Sequence, residues 1–168
     1  MWGFKSLCGH QFKGLHMNIF YLDDDINKSV QYLVDKHVVK MPLETAQLLS
    51  SAIYLNGGQG PYKPTHLKHP CTLWVASDEC NYIWLSNYGL ALCKEYTFRY
   101  HKQHACERVI LDMPAVPVFK TINKFTLPPQ CMPDEYKQSN TVEAYRAYYR
   151  GAKKHIHKWT GRPVPDWI

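Results

Sequence analysis

The chain has 168 residues, 45% of them hydrophobic, 20% charged and only 9 of them Gly, which excludes a disordered or collagen-like polymer and predicts a single compact domain. At this length roughly 70% of the unfolded surface can be buried, so a core is possible without disulfides or metals. Twenty basic against fourteen acidic residues give +6, and 14% aromatic content accompanies that charge, so the expected partner is a polyanion, nucleic acid first. No stretch reaches the roughly 18 uninterrupted apolar residues of a membrane helix, which excludes a membrane partner. Six cysteines without a signal-like leader predict reduced thiols and a cytoplasmic rather than secreted protein; a viral chain would work in the host cytoplasm or nucleoid. Nothing in the composition implies a protein partner.

Residues 1–16 show no period, whereas an orderly pattern begins at Met17, so 1–16 is expected to be an extension ahead of an alternative start and 17–168 one helical domain. Ile19 to Leu22 predicts one short buried strand or extended segment, closed by Asp23-Asp24-Asp25. Apolar residues at three- to four-residue spacing predict a helix from about Asn27 to Val39. Pro42 then either kinks it or opens a second helix to about Leu55, stopped by Asn56-Gly57-Gly58. Residues 57 to 70 read as an irregular loop. Ser77, followed by Asp78 and Glu79, predicts the N-cap of a long helix to about His101. Met113 to Pro133, with five prolines, reads as a surface connection. Asn140 and Glu143 open a helix expected to reach about Lys158, and the segment from Thr160 to Trp167 cannot continue it. The fold class is therefore mainly α, a compact helical bundle with proline-rich connections and at most one short N-terminal strand.

Three constellations carry possible chemistry. On a continuous helix His37, Lys40, Glu44, Gln47 and Ser51 form one polar stripe. It reads either as a solvated face with a Lys40–Glu44 ion pair or as a cleft, where Glu44 works on a cationic transition state while His37 and Lys40 tune it. His66, His69 and Cys71, and again His101, His104 and Cys106, follow one order at one spacing. Yet no Cys-x-x-Cys or His-Glu-x-x-His accompanies them, so neither a metal nor another cofactor is expected. The histidines then serve as basic loop groups, with His101 and His104 complementing a helix C-terminus. Finally, basic and aromatic residues alternate from Tyr62 to His69, from Tyr96 to Lys102 and from Tyr145 to Trp159, as a nucleic-acid groove requires. Lys63, His66, Lys68, His69 and Arg99 are candidates for contact. Tyr145, Arg146, Tyr149, Arg150 and Lys153 are expected to expose one basic, aromatic helix face, while Trp74, Trp84, Tyr88 and Tyr96 belong in the core.

The order Met17-Asn18-Ile19-Phe20-Tyr21-Leu22, Leu43-Glu44-Thr45 in a helix, Tyr62-Lys63, then His69-Pro70 ahead of a long aromatic helix resembles the phage-type pyrimidine-dimer DNA glycosylases over roughly residues 17 to 105. It is similar as well to short proteins of phages and large viruses. The resemblance implies a small all-helical enzyme that binds duplex DNA, displaces a base and cleaves the glycosidic bond of a damaged or modified pyrimidine. A terminal amine, from Met17 or Asn18, would attack the sugar to form an imine and give strand-nicking lyase activity. Glu44 would be the essential carboxylate. Leu43 stands where that family usually has arginine, and a chain beginning at Met1 would need another amine such as Lys40. Other readings of the same residues are a transferase or hydrolase acting on nucleic-acid bases or nucleotides, and a non-catalytic nucleic-acid-binding protein.

Overall fold

A computed structural model describes residues 17–115, 118–119 and 124–168; the proposed extension at 1–16 lies outside the described residues. The helices, in chain order, are α1 (Ile26–Gln31), α2 (Asp35–Leu55), α3 (Pro70–Ser77), α4 (Glu79–Tyr100), α5 (Ala105–Leu111) and α6 (Thr141–Arg150), with short 3-10 turns at Asp134–Tyr136 and Lys154–Ile156. No strand occurs among the described residues. The all-helical expectation holds.

The first described segment is extended and buried, with Ile19, Phe20, Tyr21 and Leu22 each no more than 3% exposed. Its backbone polar groups must be satisfied, and side chains do this where a neighbouring strand would otherwise be needed. Ser29 Oγ donates to the Phe20 carbonyl at 3.2 Å and accepts the Leu22 N–H at 3.0 Å. The Tyr88 hydroxyl donates to the Phe20 carbonyl at 2.9 Å, and Arg146 Nε donates to the Leu22 carbonyl at 2.9 Å. A single extended run through the core is the result.

The single helix expected from Asn27 to Val39 is divided. Asp25 caps α1 through its side chain, and the chain breaks at Tyr32-Leu33-Val34 before α2 begins. Leu33 and Val34 are fully buried at that break. The carbonyls it leaves unpaired are taken by Arg99, whose Nη1 donates to Leu33 O at 2.8 Å and whose Nη2 donates to Gln31 O at 2.9 Å. Pro42 does not start a new helix; it lies inside α2, which runs on for 21 residues.

Helices α2 and α4 form the central pair, and Gly89 on α4 packs tightly against Thr45 of α2. A Cβ there would sit 2.7 Å from Thr45 Cγ2 and 2.9 Å from Ile110 Cδ1. The loop after α2 folds back on it in the same way: a Cβ on Gly60 would lie 2.6 Å from the Ser50 Cα.

Several boundaries differ from the sequence reading for identifiable reasons. Ser77 ends α3 rather than capping a helix, and Asp78 caps α4 through Oδ1, which accepts the Cys80 N–H at 2.8 Å. Helix α6 stops at Arg150, and Gly151 then packs against the Tyr136 ring, where a Cβ would lie 2.6 Å from the hydroxyl. Its start is as expected, with Asn140 Oδ1 accepting the Glu143 N–H at 3.1 Å. The proline-rich connection is more than a surface strap: Phe125 packs on Trp74 and Trp84, and the Thr126 N–H donates to Asn81 Oδ1 at 2.9 Å.

Replacing Gly60 with alanine drives a methyl group into the α2 backbone, which cannot move aside as a flexible side chain could. Gly60→Ala should cost about 1–3 kcal/mol, read as a lowered urea midpoint with an unchanged m-value.

Candidate active site

The side chains expected along one stripe of α2 separate into two environments. Lys40 and Glu44 stay together, Nζ to Oε1 2.9 Å, with the lysine side chain 41% exposed and the glutamate only 14%. The ion pair and the partly enclosed carboxylate therefore coexist. His37, one turn earlier, turns into the core. Its ring stacks on Phe20 with centroids 4.1 Å apart, and its Nδ1 lies 2.5 Å from the Tyr149 hydroxyl. The Tyr149 hydroxyl and the Phe20 ring thus enclose the imidazole. Burial first, then the Lys40 and Lys153 charges, pull the His37 pKa down to about 2. A neutral, enclosed imidazole cannot assist Glu44 from there.

The loop after α2 is fastened along the Glu44 face. Ser51, seven residues or two turns beyond Glu44, donates its hydroxyl to the Thr65 carbonyl at 3.0 Å and accepts the Thr65 N–H at 3.1 Å. Ser50 Oγ accepts the Tyr62 N–H at 3.3 Å. These clasps leave Lys63 and Lys68 exposed and His66 half-buried, with His66 Nδ1 2.8 Å from Thr65 Oγ1.

His69 and His104 have a role that the spacing did not reveal. Each is the N-cap of the helix that follows: His69 Nδ1 accepts the Cys71 N–H at 3.2 Å, and His104 Nδ1 accepts the Cys106 N–H at 3.1 Å. His66 and His101 adopt left-handed backbone, φ 50° and 53°, in the turns leading to those caps. The repeated His-x-x-His-x-Cys is thus a turn-and-cap unit used twice. His104 opens α5 instead of closing α4, correcting its assignment to a helix C-terminus. Burial, followed by the His66 charge, lowers the His69 pKa, which keeps the capping nitrogen unprotonated.

Cys71 is where the separate pieces meet. Its sulfur lies 3.5 Å from Cys131 Sγ and faces the Ile19 N–H, and the Glu44 charge is near enough to disfavour its thiolate. The Cys71 pKa is raised first by the hydrogen bond to Cys131, then by burial; the same bond holds Cys131 below the ordinary thiol range. The extended segment comes in from the other side. Met17 is buried, and Asn18 Nδ2 donates to the Cys131 carbonyl at 2.8 Å while its Oδ1 accepts the Ile19 N–H and faces the Tyr145 hydroxyl, 2.8 Å from each. His69 and the Asn18–Ile19 backbone thus lie beside the two sulfurs and the Glu44 charge is felt there, whereas His37 packs against Phe20 and Tyr149. Cys131 was not singled out, because no local spacing connects it to residues 60 positions away.

The remaining expected contact residues are largely internal. Arg99 has no exposed side-chain surface; it donates to Glu95 Oε1 at 2.7 Å and Asp35 Oδ1 at 3.0 Å as well as to two carbonyls. It cannot also hold a phosphate. Tyr145 and Tyr149 are fully buried, so the anticipated exposed face of α6 points inward. Arg146 pairs with Asp23 at 3.2 Å and lies over the Trp167 ring, its Cζ 5.2 Å from the centroid. Arg150 is exposed but donates to the Trp167 carbonyl at 3.1 Å, and Lys153 sits 4.8 Å from the Tyr148 ring centroid. A periodic aromatic pattern marks a buried helix face as readily as a stacking one.

The family model for pyrimidine dimer DNA glycosylase matches residues 17–108. The chain belongs to this family. No curated protein and no solved structure matches the chain. The glycosylase-family region covers the extended segment, Glu44, the 57–70 loop and both caps, but ends before Cys131 and α6. Among the described residues no helix is long and apolar enough to cross a membrane. The five described cysteines are unbridged.

The depressed His37 pKa has a measurable consequence. The unfolded chain takes up a proton near pH 6.5, which the folded chain refuses until about pH 2, so stability is full above pH 6.5 and falls as pH drops below it. The slope for this group is about 1.4 kcal/mol per pH unit. Between pH 7 and 4.5 urea unfolding should show a loss of roughly 2–3 kcal/mol from His37, with His69 adding in the same direction. His37→Gln should flatten the profile.

Proposed function

We propose that this member of the family is a DNA glycosylase that removes a damaged or modified pyrimidine, with Glu44 as its essential carboxylate. The observation that carries this reading is the placement of Glu44: inside the family match, its side chain only 14% exposed and clamped to Lys40. As the bond from the sugar C1′ to the base breaks, positive charge develops on the sugar. A fixed carboxylate shielded from bulk water stabilises that charge more strongly than a solvated one.

Lyase activity requires an amine that can form an imine at C1′. A chain starting at Met17 would carry its amine at the buried end of the extended segment; a longer chain has Lys40, whose Nζ is already 2.9 Å from the carboxylate. Duplex DNA would be met by the exposed Lys63 and Lys68, with His66 between them on the loop clasped to α2. Displacing the base costs a few kcal/mol, least at a lesion, which supplies part of the selectivity.

Glu44→Gln is nearly isosteric and should lower base release from ultraviolet-irradiated duplex DNA about 100-fold or more while leaving DNA affinity within a few-fold of the parent. Equal base release by parent and variant would overturn the assignment of Glu44. Lack of release by the parent protein, with binding intact, would favour the non-catalytic reading. Borohydride trapping on abasic DNA, compared between the parent and Lys40→Ala, separates the two amines.

Binding should also weaken with salt through counterion release. Removing both loop lysines (Lys63→Ala with Lys68→Ala) should weaken binding uniformly across sequences and reduce the slope of log K against log salt by about 2. A slope unchanged by the substitutions would remove the loop from the DNA contact.

A further inference from the structure

We propose that Cys71, Cys131 and His69 form a binding site for a thiophilic divalent cation, of which zinc is the natural representative. One donor atom from each lies within 4.8 Å of the other two, and among the described residues this is the only such set of three. A tetrahedral zinc with bonds of about 2.3 Å to sulfur and about 2.0 Å to nitrogen separates its ligand atoms by about 3.5–3.8 Å. The Cys71 and Cys131 sulfurs are 3.5 Å apart, close to that tetrahedral edge and well beyond the roughly 2.05 Å of a disulfide. Two sulfurs and an imidazole nitrogen are the donors zinc favours over magnesium or calcium.

The surroundings suit the ligands. Cys71 and His69 are buried, while Cys131 is partly exposed, which gives the ion an approach from solvent. In the metal-free chain the His69 lone pair on Nδ1 accepts the Cys71 N–H. Metal binding therefore exchanges a helix cap for a metal–nitrogen bond, which is the stronger interaction. His104 and Cys106 repeat the cap, but there the thiol meets the Tyr62 hydroxyl at 3.8 Å, and no third donor completes a cluster among the described residues.

Three protein donors leave one tetrahedral position for an outside ligand. Cys131 lies beyond the family match, so this site is a property of the present chain and does not depend on the glycosylase reading.

The full chain, purified under reducing conditions and dialysed against metal-free buffer, should retain one zinc per chain. The apoprotein titrated with Co²⁺ should develop the near-ultraviolet sulfur-to-cobalt charge transfer and the intense visible bands of a tetrahedral thiolate complex. Cys131→Ser should weaken cobalt binding at least tenfold and reduce the charge-transfer band, whereas Cys106→Ser should change neither. A parent protein without zinc whose cobalt spectrum is weak and octahedral would overturn the site. So would a metal-free chain, isolated without reductant, in which peptide mapping finds Cys71 linked to Cys131, because the two sulfurs would then form a disulfide. Both decisive readings come from the parent protein, so a folding defect in Cys131→Ser does not obscure them.

Discussion

The arrangement of this molecule depends on one buried guanidinium. Arg99 occupies the break between α1 and α2, where two carbonyls lack helical partners, and supplies the donors that those carbonyls cannot obtain from water. Its charge is balanced by Glu95 on the same helix and Asp35 at the start of α2. Those acids extend the network to the C-terminal segment: Asp35 accepts from the Thr160 N–H and hydroxyl, and Glu95 is held by Arg162 at 2.8 Å. Burial alone would raise the Asp35 pKa, but the Thr160 and Arg99 contacts outweigh it and hold the carboxyl below its usual range. A buried charge of this kind is costly unless its donors are used, and here they tie α4 to the break between α1 and α2.

The consequence for the site is rotational. Anchoring Asp35 fixes which face of α2 meets the core, and the 3.6-residue period then sets the direction of every later side chain. His37 falls on the inner face, against Phe20 and Tyr149; Lys40 and Glu44 fall at its margin. A slip of one residue at the α1–α2 break would turn α2 by about 100° and carry Glu44 away from Cys71. The C-terminal third of the chain, outside the family match, thus helps to set the orientation of a glutamate that lies within it.

How much of this could be read from the sequence depended on whether the controlling interaction was local. The helical class, the α6 cap at Asn140 and the extended Ile19–Leu22 segment were legible because period and capping chemistry act over a few residues. The break at Tyr32–Val34 was not, since it is stabilised by an arginine more than 60 positions away. The same limitation explains the misplaced contact residues. Arg99, Tyr145 and Tyr149 have the composition of a nucleic-acid surface, yet a guanidinium can as well serve stranded carbonyls, and a tyrosine can bury its ring once its hydroxyl has a partner. The Lys40–Glu44 pair was legible from its spacing; its convergence with Cys71 and the Asn18–Ile19 backbone required the fold.

The twice-used His-x-x-His-x-Cys unit shows how one local device can acquire different chemistry. In both copies a histidine in left-handed backbone turns the chain and a second histidine caps the next helix, which projects the cysteine from that helix's first turn. The local physics ends there. After α5 begins, Cys106 meets a tyrosine hydroxyl; after α3 begins, Cys71 meets a second sulfur delivered by the proline-rich connection, with Glu44 and the Asn18–Ile19 backbone alongside. Capping explains why each histidine and cysteine stand two residues apart, but it does not require a second thiol at 3.5 Å. Tyr145 contributes to that placement through its hydroxyl, which lies 2.7 Å from the Pro129 carbonyl, 2.8 Å from Asn18 Oδ1 and 3.4 Å from the Cys131 nitrogen. A buried tyrosine on α6 therefore braces the connection beside the extended segment and brings the two sulfurs together.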